Sequence, residues 1–128
     1  MKIQLKELNR IKGSLSKLLV ADNIPARAAY RATKFTKALV RELELLEETR
    51  VELVKKYGEK AGDGLAVPPK HEEAFQGAFG EVLEEEVELP EIQLAVGDLE
   101  NAKLSMLDFA YLDFMIVETD PTSKPKQG

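Results

Sequence analysis

A long run of residues with helical periodicity is the strongest constraint on how this chain folds. From Pro25 to Tyr57 the apolar residues recur mostly at steps of three and four, which places them on one face of an α-helix. Pro25 suits the first turn of a helix and Gly58 suits its end. The members of this apolar face are Ala28, Ala32, Phe35, Leu39, Leu43, Leu46, Leu53 and Tyr57.

The predicted length of this helix exceeds the width of the domain that the chain can form. A helix over residues 25–57 is about 50 Å long, and a compact domain of 128 residues is narrower than that. We therefore expect one of three arrangements: part of the helix projects, the helix kinks near Arg50, or it pairs with a second chain in a homo-oligomer.

Other periodic segments predict a mainly α fold. Leucines and Ile11 between Leu5 and Leu19 follow one helical face, and the short connection to Pro25 predicts an antiparallel helical hairpin. A third helix is predicted over residues 70–85, where Gly77 and Gly80 would permit close approach of a neighbouring element. The fold class we expect is a long helical hairpin with a third and a C-terminal helix, plus a minimal β element.

The C-terminal helix is predicted over residues 105–117. Ser105 and Asp108 resemble a capping box, with Asp in place of the usual Glu. Asp108 and Asp113 are then expected on its exposed side. Its apolar side is expected to form core or a docking surface, through Met106, Leu107, Phe109, Ala110, Leu112, Phe114 and Met115.

Short alternating segments predict the β element. Residues 2–5 and 86–96 alternate apolar and polar side chains, and Pro90 argues for an edge or a bend. One domain over residues 1–118 is expected, followed by a flexible tail over residues 119–128.

Charge is sorted along the chain. Residues 1–41 hold ten basic and two acidic side chains, whereas the remainder holds eight basic and twenty-one acidic ones. One side of the long helix carries a basic stripe formed by Arg27, Arg31, Lys34 and Arg41, with Lys37 close by. The acidic complement is Glu81, Glu84, Glu85, Glu86, Glu88 and Glu91.

Three partners for the basic stripe are compatible with this pattern. These partners are an acidic protein, the acidic third helix of the same chain, and the phosphates of a nucleic acid. The sequence disfavours nucleic acid because it has no glycine loop, little aromatic interleaving and no known nucleic-acid motif. The candidate partner-binding residues are Arg27, Arg31, Lys34, Arg41, Phe109, Leu112 and Phe114.

No catalytic, cofactor or metal site is predicted. The chain has no cysteine, and its only histidine, His71, has no identifiable nucleophile or orienting partner in the sequence. Consecutive glutamates on a helix diverge, so they do not converge on one ion. Apolar runs are too short for a membrane span, and the polar N-terminus is unlike a signal peptide.

The order of these pieces resembles a family of small tailed-phage and prophage proteins of unknown function from Gram-positive hosts. The resemblance extends over most of the chain and lacks a residue-by-residue match at 61–69. No catalytic residue is assigned in the family, and none is carried over. The matching features are Met1-Lys2-Ile3-Gln4-Leu5-Lys6-Glu7-Leu8, the Ile24-Pro25 to Tyr30 segment, Leu53-Val54-Lys55-Lys56-Tyr57-Gly58, Leu99-Glu100-Asn101, Leu104-Ser105 and the Leu112/Phe114 helix.

The resemblance implies a phage-encoded protein. We therefore expect a non-enzymatic protein that acts through protein–protein contacts as a virion structural or assembly component. The alternative is a phage regulator or inhibitor that binds a host enzyme or defence protein through its acidic face. Either function places the chain in the virion or in the cytoplasm of the infected host.

Overall fold

Helices dominate the chain, and the β structure is confined to short pairs of strands, which confirms the predicted fold class. The computed structural model describes residues 1–118, so the tail predicted over 119–128 lies outside the described residues. In chain order the elements are β1 (Lys2–Gln4), a 3₁₀ turn (Leu5–Glu7), α1 (Leu8–Leu19), α2 (Ala26–Tyr57), β2 (Glu59–Ala61), β3 (Gly64–Ala66), α3 (Pro69–Leu83), β4 (Glu86–Glu88), β5 (Leu94–Ala95), a 3₁₀ turn (Val96–Leu99), α4 (Met106–Leu112), a 3₁₀ turn (Asp113–Met115) and β6 (Ile116–Val117).

The long helix is confirmed as α2, which starts one residue after Pro25. Pro25 is extended, and its carbonyl accepts the N–H of Ala29 to begin the helical hydrogen bonding. At the other end the N–H of Gly58 donates to the Val54 carbonyl at 2.6 Å. A Cβ on Gly58 would overlap that carbonyl, so glycine is required at this close approach.

The C-terminal part of α2 extends beyond the main core. α2 stays helical through Arg50, at the position where the sequence analysis allows a kink, and Arg50 pairs with Glu47 one turn earlier at 2.6 Å. The last buried residue of α2 is Leu46. Because α2 is about 48 Å long, its final turns project past the core.

The main core forms where α1 packs against the first two-thirds of α2. Leu8, Ile11, Leu15 and Leu18 of α1 are buried with the apolar face of α2. Ala28 and Ala32 are almost fully buried in the same core. The antiparallel hairpin predicted for α1 and α2 is thus the framework of the fold.

A β-hairpin connects α2 to α3, and α3 then packs against α2. The hairpin turns at Gly62, whose φ of 60° is a conformation that glycine adopts without strain. On α3 the rings of Phe75 and Phe79 stack with centroids 6.1 Å apart. A Cβ on Gly77 or Gly80 would meet no atom within 4 Å among the described residues, so the predicted close approach at these glycines is wrong.

The segment predicted as one strand over residues 86–96 is divided into two. β4 pairs antiparallel with β1, with Ile3 opposite Val87, and β5 pairs in parallel with β6. Pro90 lies in the break between β4 and β5, because proline cannot donate a ladder hydrogen bond.

The C-terminal helix is shorter than predicted, and Asp108 is not on its exposed side. α4 ends at Leu112 and continues as a 3₁₀ turn and a strand. The capping box is confirmed: Asp108 N–H donates to Ser105 Oγ at 3.1 Å and Ser105 N–H donates to Asp108 Oδ2 at 2.8 Å. Asp108 is nevertheless only 6% exposed, since α4 packs against α1.

Asp108 connects α4 to α1 through two side chains. Ser14 Oγ donates to Asp108 Oδ1 at 2.8 Å, and Lys17 Nζ donates to Oδ2. The bond from Lys17, followed by those from Ser105 and Ser14, holds the pKa of Asp108 well below its usual range. The buried carboxylate is therefore satisfied by groups from both helices.

Replacing Gly77 by alanine is expected to raise the free energy of unfolding by about 0.5–1 kcal/mol, because alanine favours the helix and the added methyl meets open space. Gly58→Ala is the matched control and should lower it, because its methyl would overlap the Val54 carbonyl. Urea unfolding followed by circular dichroism measures both. A loss of stability in Gly77→Ala would contradict the open surface at this position.

Asp108 should make the free energy of unfolding depend on pH. Because folding lowers its pKa, its contribution is complete above the unfolded value of about 3.9 and is lost progressively as pH falls below that value. We expect Asp108→Asn to be less stable than the wild type at about pH 6. The difference between their free energies of unfolding should be smaller at about pH 3. Urea midpoints at the two pH values test this, and a difference that does not change would contradict it.

Candidate protein-binding surface

The basic stripe lies on the sides of α2 that face away from the core. Arg27 and Arg31 lean towards the segment after β4: Arg27 lies 3.4 Å from Asp98 Oδ1, and Arg31 donates to the Gln93 carbonyl at 3.4 Å. Lys34 is exposed, and so are the remaining two members, Lys37 and Arg41. The N-terminal end of the stripe therefore contacts other parts of the fold, and its C-terminal end faces solvent.

The acidic residues that were expected to pair with this stripe have other partners. Glu84 pairs with Lys6 at 3.3 Å, and the N-terminal amine lies 3.1 Å from Glu88 and 3.7 Å from Glu91. These pairs hold the N-terminal segment against the segment around β4. The predicted pairing of the basic stripe with the acidic third helix is wrong, since Arg27 and Arg31 contact residues 93 and 98 instead.

A groove separates the first half of α2 from residues 90–93. It encloses about 410 Å³. Phe35 and Ile92 are buried at its base, whereas Tyr30 and Lys34 are exposed at its edge. This is an apolar cleft bordered by cationic side chains.

A second cavity of about 680 Å³ lies between β1, the start of α1 and α4. Ile3, Ile11, Tyr111 and Phe114 provide its apolar lining, and Glu7, Glu86 and Glu91 also line it. Tyr111 is further covered by Arg10, whose guanidinium carbon lies 6.0 Å from the ring centroid.

The two cavities are neighbours. Glu91 lines both of them, and Phe114 of the second cavity lies against Phe35 of the first, with ring centroids 6.2 Å apart. We call this pair of neighbouring cavities the two-part groove. It joins the basic stripe to the C-terminal aromatic residues, which are far apart in the sequence.

The three apolar candidates of the C-terminal region differ in exposure. Phe114 is 43% exposed and lies on the two-part groove. Phe109 is half-buried against the core, and Leu112 is completely buried within it. Only Phe114 can contact a partner directly, while Leu112 belongs to the core.

Two residues at the start of α4 are more exposed than the predicted packing implies. Met106 is 91% exposed and Leu107 is 59% exposed. The capping box marks where α4 begins and carries no information on the exposure of these residues. The sequence left core and docking surface open for these residues, and their exposure excludes them from the core.

Several groove residues had no signal in the sequence. Pro90 and Ile92 line the groove only because the chain turns back across α2 between β4 and β5. Asp98 is also unexpected: its Oδ2 is buried without a hydrogen-bond partner among the described residues, although Oδ1 faces Arg27. These positions depend on contacts between residues more than fifty apart in the chain.

His71 lies away from the groove, near the β-hairpin. Its Nε2 is 3.8 Å from Glu59, which also pairs with Lys70 at 2.9 Å. The hydrogen bond from Lys70 lowers the pKa of Glu59. Within residues 1–118, no group of three histidine, aspartate or glutamate side chains is placed to hold a metal ion, and no helix is long and apolar enough to cross a membrane.

Comparisons of the chain with protein-family models, with curated proteins and with solved structures found no match.

Alanine variants of Leu112 and Phe114 should differ in stability, because one side chain belongs to the core and the other to the surface. Leu112→Ala is expected to lower the free energy of unfolding by about 2–5 kcal/mol, because it leaves a cavity in the core. Phe114→Ala should cost only about 1 kcal/mol, since its half-exposed ring loses chiefly the contact with Phe35. Urea unfolding of both variants tests this difference, and equal losses would place Phe114 in the core.

Proposed function

We propose that this chain is a non-enzymatic, phage-encoded protein that binds another protein, and that it serves as a virion structural or assembly component. The observation that supports binding is the two-part groove, where the basic stripe meets Phe114. The phage origin is supported by the sequence resemblance. The partner contact is assigned to the groove because it combines concave shape, aromatic surface and charge.

The chemistry of the groove favours a protein segment with apolar and acidic side chains. Phe114 offers aromatic surface to an apolar side chain, and Lys34 is placed to meet a carboxylate at the edge. A nucleic acid fits less well, because Glu91 lines both halves of the groove and the chain has a net charge of −5. A protein partner therefore suits the mixture of charges better than a polyphosphate does.

The alternative function is a phage regulator that binds a host enzyme or defence protein. The exposed acidic side chains of Glu85 and Glu86 favour this alternative, since they present negative charge beside β4. Such a protein would bind through this acidic edge, whose Glu86 also lines the second cavity, and not through the basic stripe. The two functions therefore differ both in partner and in the surface used.

Mass spectrometry of purified particles tests the proposed function. Particles of the phage or prophage that encodes the chain should contain it at a copy number comparable to that of other structural proteins, or its deletion should arrest assembly. Normal particles that lack the chain, together with capture of a host enzyme by the tagged chain, would replace this function by the alternative.

Charge reversal tests the groove itself. The double variant Arg31→Glu/Lys34→Glu should weaken binding to the virion partner at least about tenfold, because it opposes an acidic segment with two new carboxylates. Lys12→Glu on the exposed side of α1 is the control with the same type of change and should bind normally. Circular dichroism checks folding, which matters because Arg31 also contacts the Gln93 carbonyl.

An unfolded double variant would indicate that the stripe serves internal pairing. In that case Lys34→Glu alone decides the question, because Lys34 is exposed. A folded Lys34→Glu variant with unchanged partner binding would exclude the groove edge as the contact. Binding of DNA that falls steeply with salt in the wild type, and is lost in Lys34→Glu, would instead assign the stripe to nucleic acid.

A further inference from the structure

The side of α2 opposite the core carries an ordered series of charges. Steps of four and three residues place these side chains on one face of the helix, and all of them are exposed. We call this the outer face of α2. It consists of Tyr30, Lys34, Lys37, Arg41, Glu44, Glu48, Val51 and Lys55.

The charge on the outer face changes sign near the middle of the helix. The side chains before that point are basic, ending with Lys37 and Arg41, and the next two are the acidic Glu44 and Glu48. Arg41 and Glu44 lie at equal distances on either side of the midpoint of this face, and so do Lys37 and Glu48. The centre of such a face is complementary to an antiparallel copy of itself.

We propose that the outer face of α2 binds a second copy of this chain, with the two helices antiparallel about a two-fold axis. Arg41 then lies opposite Glu44 of the second copy, and Lys37 lies opposite Glu48 of the second copy. Because the axis repeats every contact, each attraction occurs twice. A parallel arrangement would place Arg41 against Arg41 and Glu44 against Glu44, which opposes like charges.

The ends and flank of the same face fit this register. Tyr30 lies opposite Lys55 of the second copy, which allows a cation–π contact. The aliphatic stem of Lys34 can cover Val51 of the second copy. Beside the charged centre, Leu45 lies on one flank of the interface and is 52% exposed in a single chain. Burying these apolar side chains adds to the attraction between charges.

The central charges of the outer face have no ion-pair partner within residues 1–118. This applies to Lys37, Arg41, Glu44 and Glu48. Charges away from this centre differ, since Glu47 pairs with Arg50 at 2.6 Å, and Lys55 at the end of the outer face pairs with Glu52 at 3.3 Å. The helix thus satisfies its flanking charges internally and leaves complementary ones at the centre of its outer face.

The centre of this self-association lies outside the proposed partner contact. Arg41 and Glu44 do not line the two-part groove, although Tyr30 and Lys34 border both surfaces. Failure of the virion experiment would therefore leave the dimer unaffected, and absence of a dimer would leave the groove available.

Single charge reversals at the centre of the face test the proposal. Arg41→Glu and Glu44→Arg should each weaken self-association at least about tenfold, because the two-fold axis turns two attractions into two repulsions. The double variant Arg41→Glu/Glu44→Arg restores opposite charges across the axis and should dimerise again. Sedimentation velocity over a range of protein concentrations measures the dissociation constants, with Lys12→Glu as the control that should dimerise normally.

Mixing the two single variants gives the most specific result. In the mixed dimer, the glutamate introduced at position 41 of one variant faces the arginine introduced at position 44 of the other. At the second contact, the unchanged Glu44 of the first variant faces the unchanged Arg41 of the other. An equimolar mixture should therefore form heterodimers, although neither variant associates alone. Native mass spectrometry distinguishes the heterodimer by mass. High salt should weaken this dimer and the wild-type dimer alike, because both depend on exposed charges.

Three outcomes would overturn the proposal. The first is a wild-type chain that stays monomeric at the highest concentration measured in low salt. The second is a dimer that Arg41→Glu does not weaken, which would place the interface elsewhere. The third is a pair of single variants that lose the dimer while their mixture and the double variant fail to recover it. Circular dichroism of each variant confirms that the helices are retained, since both positions are exposed.

Discussion

The packing of α1 against α2 is the contact on which the rest of the structure depends. Ala28 and Ala32 are 1% and 2% exposed, and they lie in one core with the buried leucines of α1. Phe35 and Leu39 then fill the space beside them, in a core that also contains Leu94, Leu99 and Met115. Because interiors are close-packed, the segments that follow α3 must fit the surface that this helix pair presents.

This contact also decides which surfaces remain for function. An α-helix buries one stripe, so the opposite side of α2 must carry groups that tolerate water, and its charged residues fulfil that requirement. The core accounts for α2 only as far as Leu46, and α3 covers part of the remainder. A helix longer than its own core therefore exposes both a basic end beside the two-part groove and a charged outer face along its length.

Local patterns in the sequence predicted most of the fold. The spacing of apolar residues located α2 to within one residue, and the Ser105–Asp108 spacing located the start of α4, because both depend on groups within one or two turns. Exposure was less predictable. Asp108 is polar and was placed on the surface, but α1 supplies Ser14 and Lys17, so its burial is satisfied. Met106 and Leu107 show the converse, since apolar residues remain exposed where no element covers them.

The candidate site was predictable in part. Helical spacing alone placed Lys34 and Arg41 on an exposed side of α2, and this follows from the geometry of one helix. The contact between Phe35 and Phe114 could not be inferred, because the two residues belong to different elements and meet only after the chain has turned back across α2. Arg27 likewise contacts Asp98, and Glu84 contacts Lys6, although attraction between opposite charges allows many other pairings.

By itself, the sequence determined the mainly α class, the length of α2, the cap of α4 and the separation of positive from negative charge. The tertiary structure alone decided that Asp108 is buried, that residues 86–96 divide into two strands, and that the basic stripe and Phe114 border one groove. The physical reason is the range of the interactions. Periodicity and capping act between neighbours along the chain, whereas burial and groove formation depend on which distant segments the core brings together.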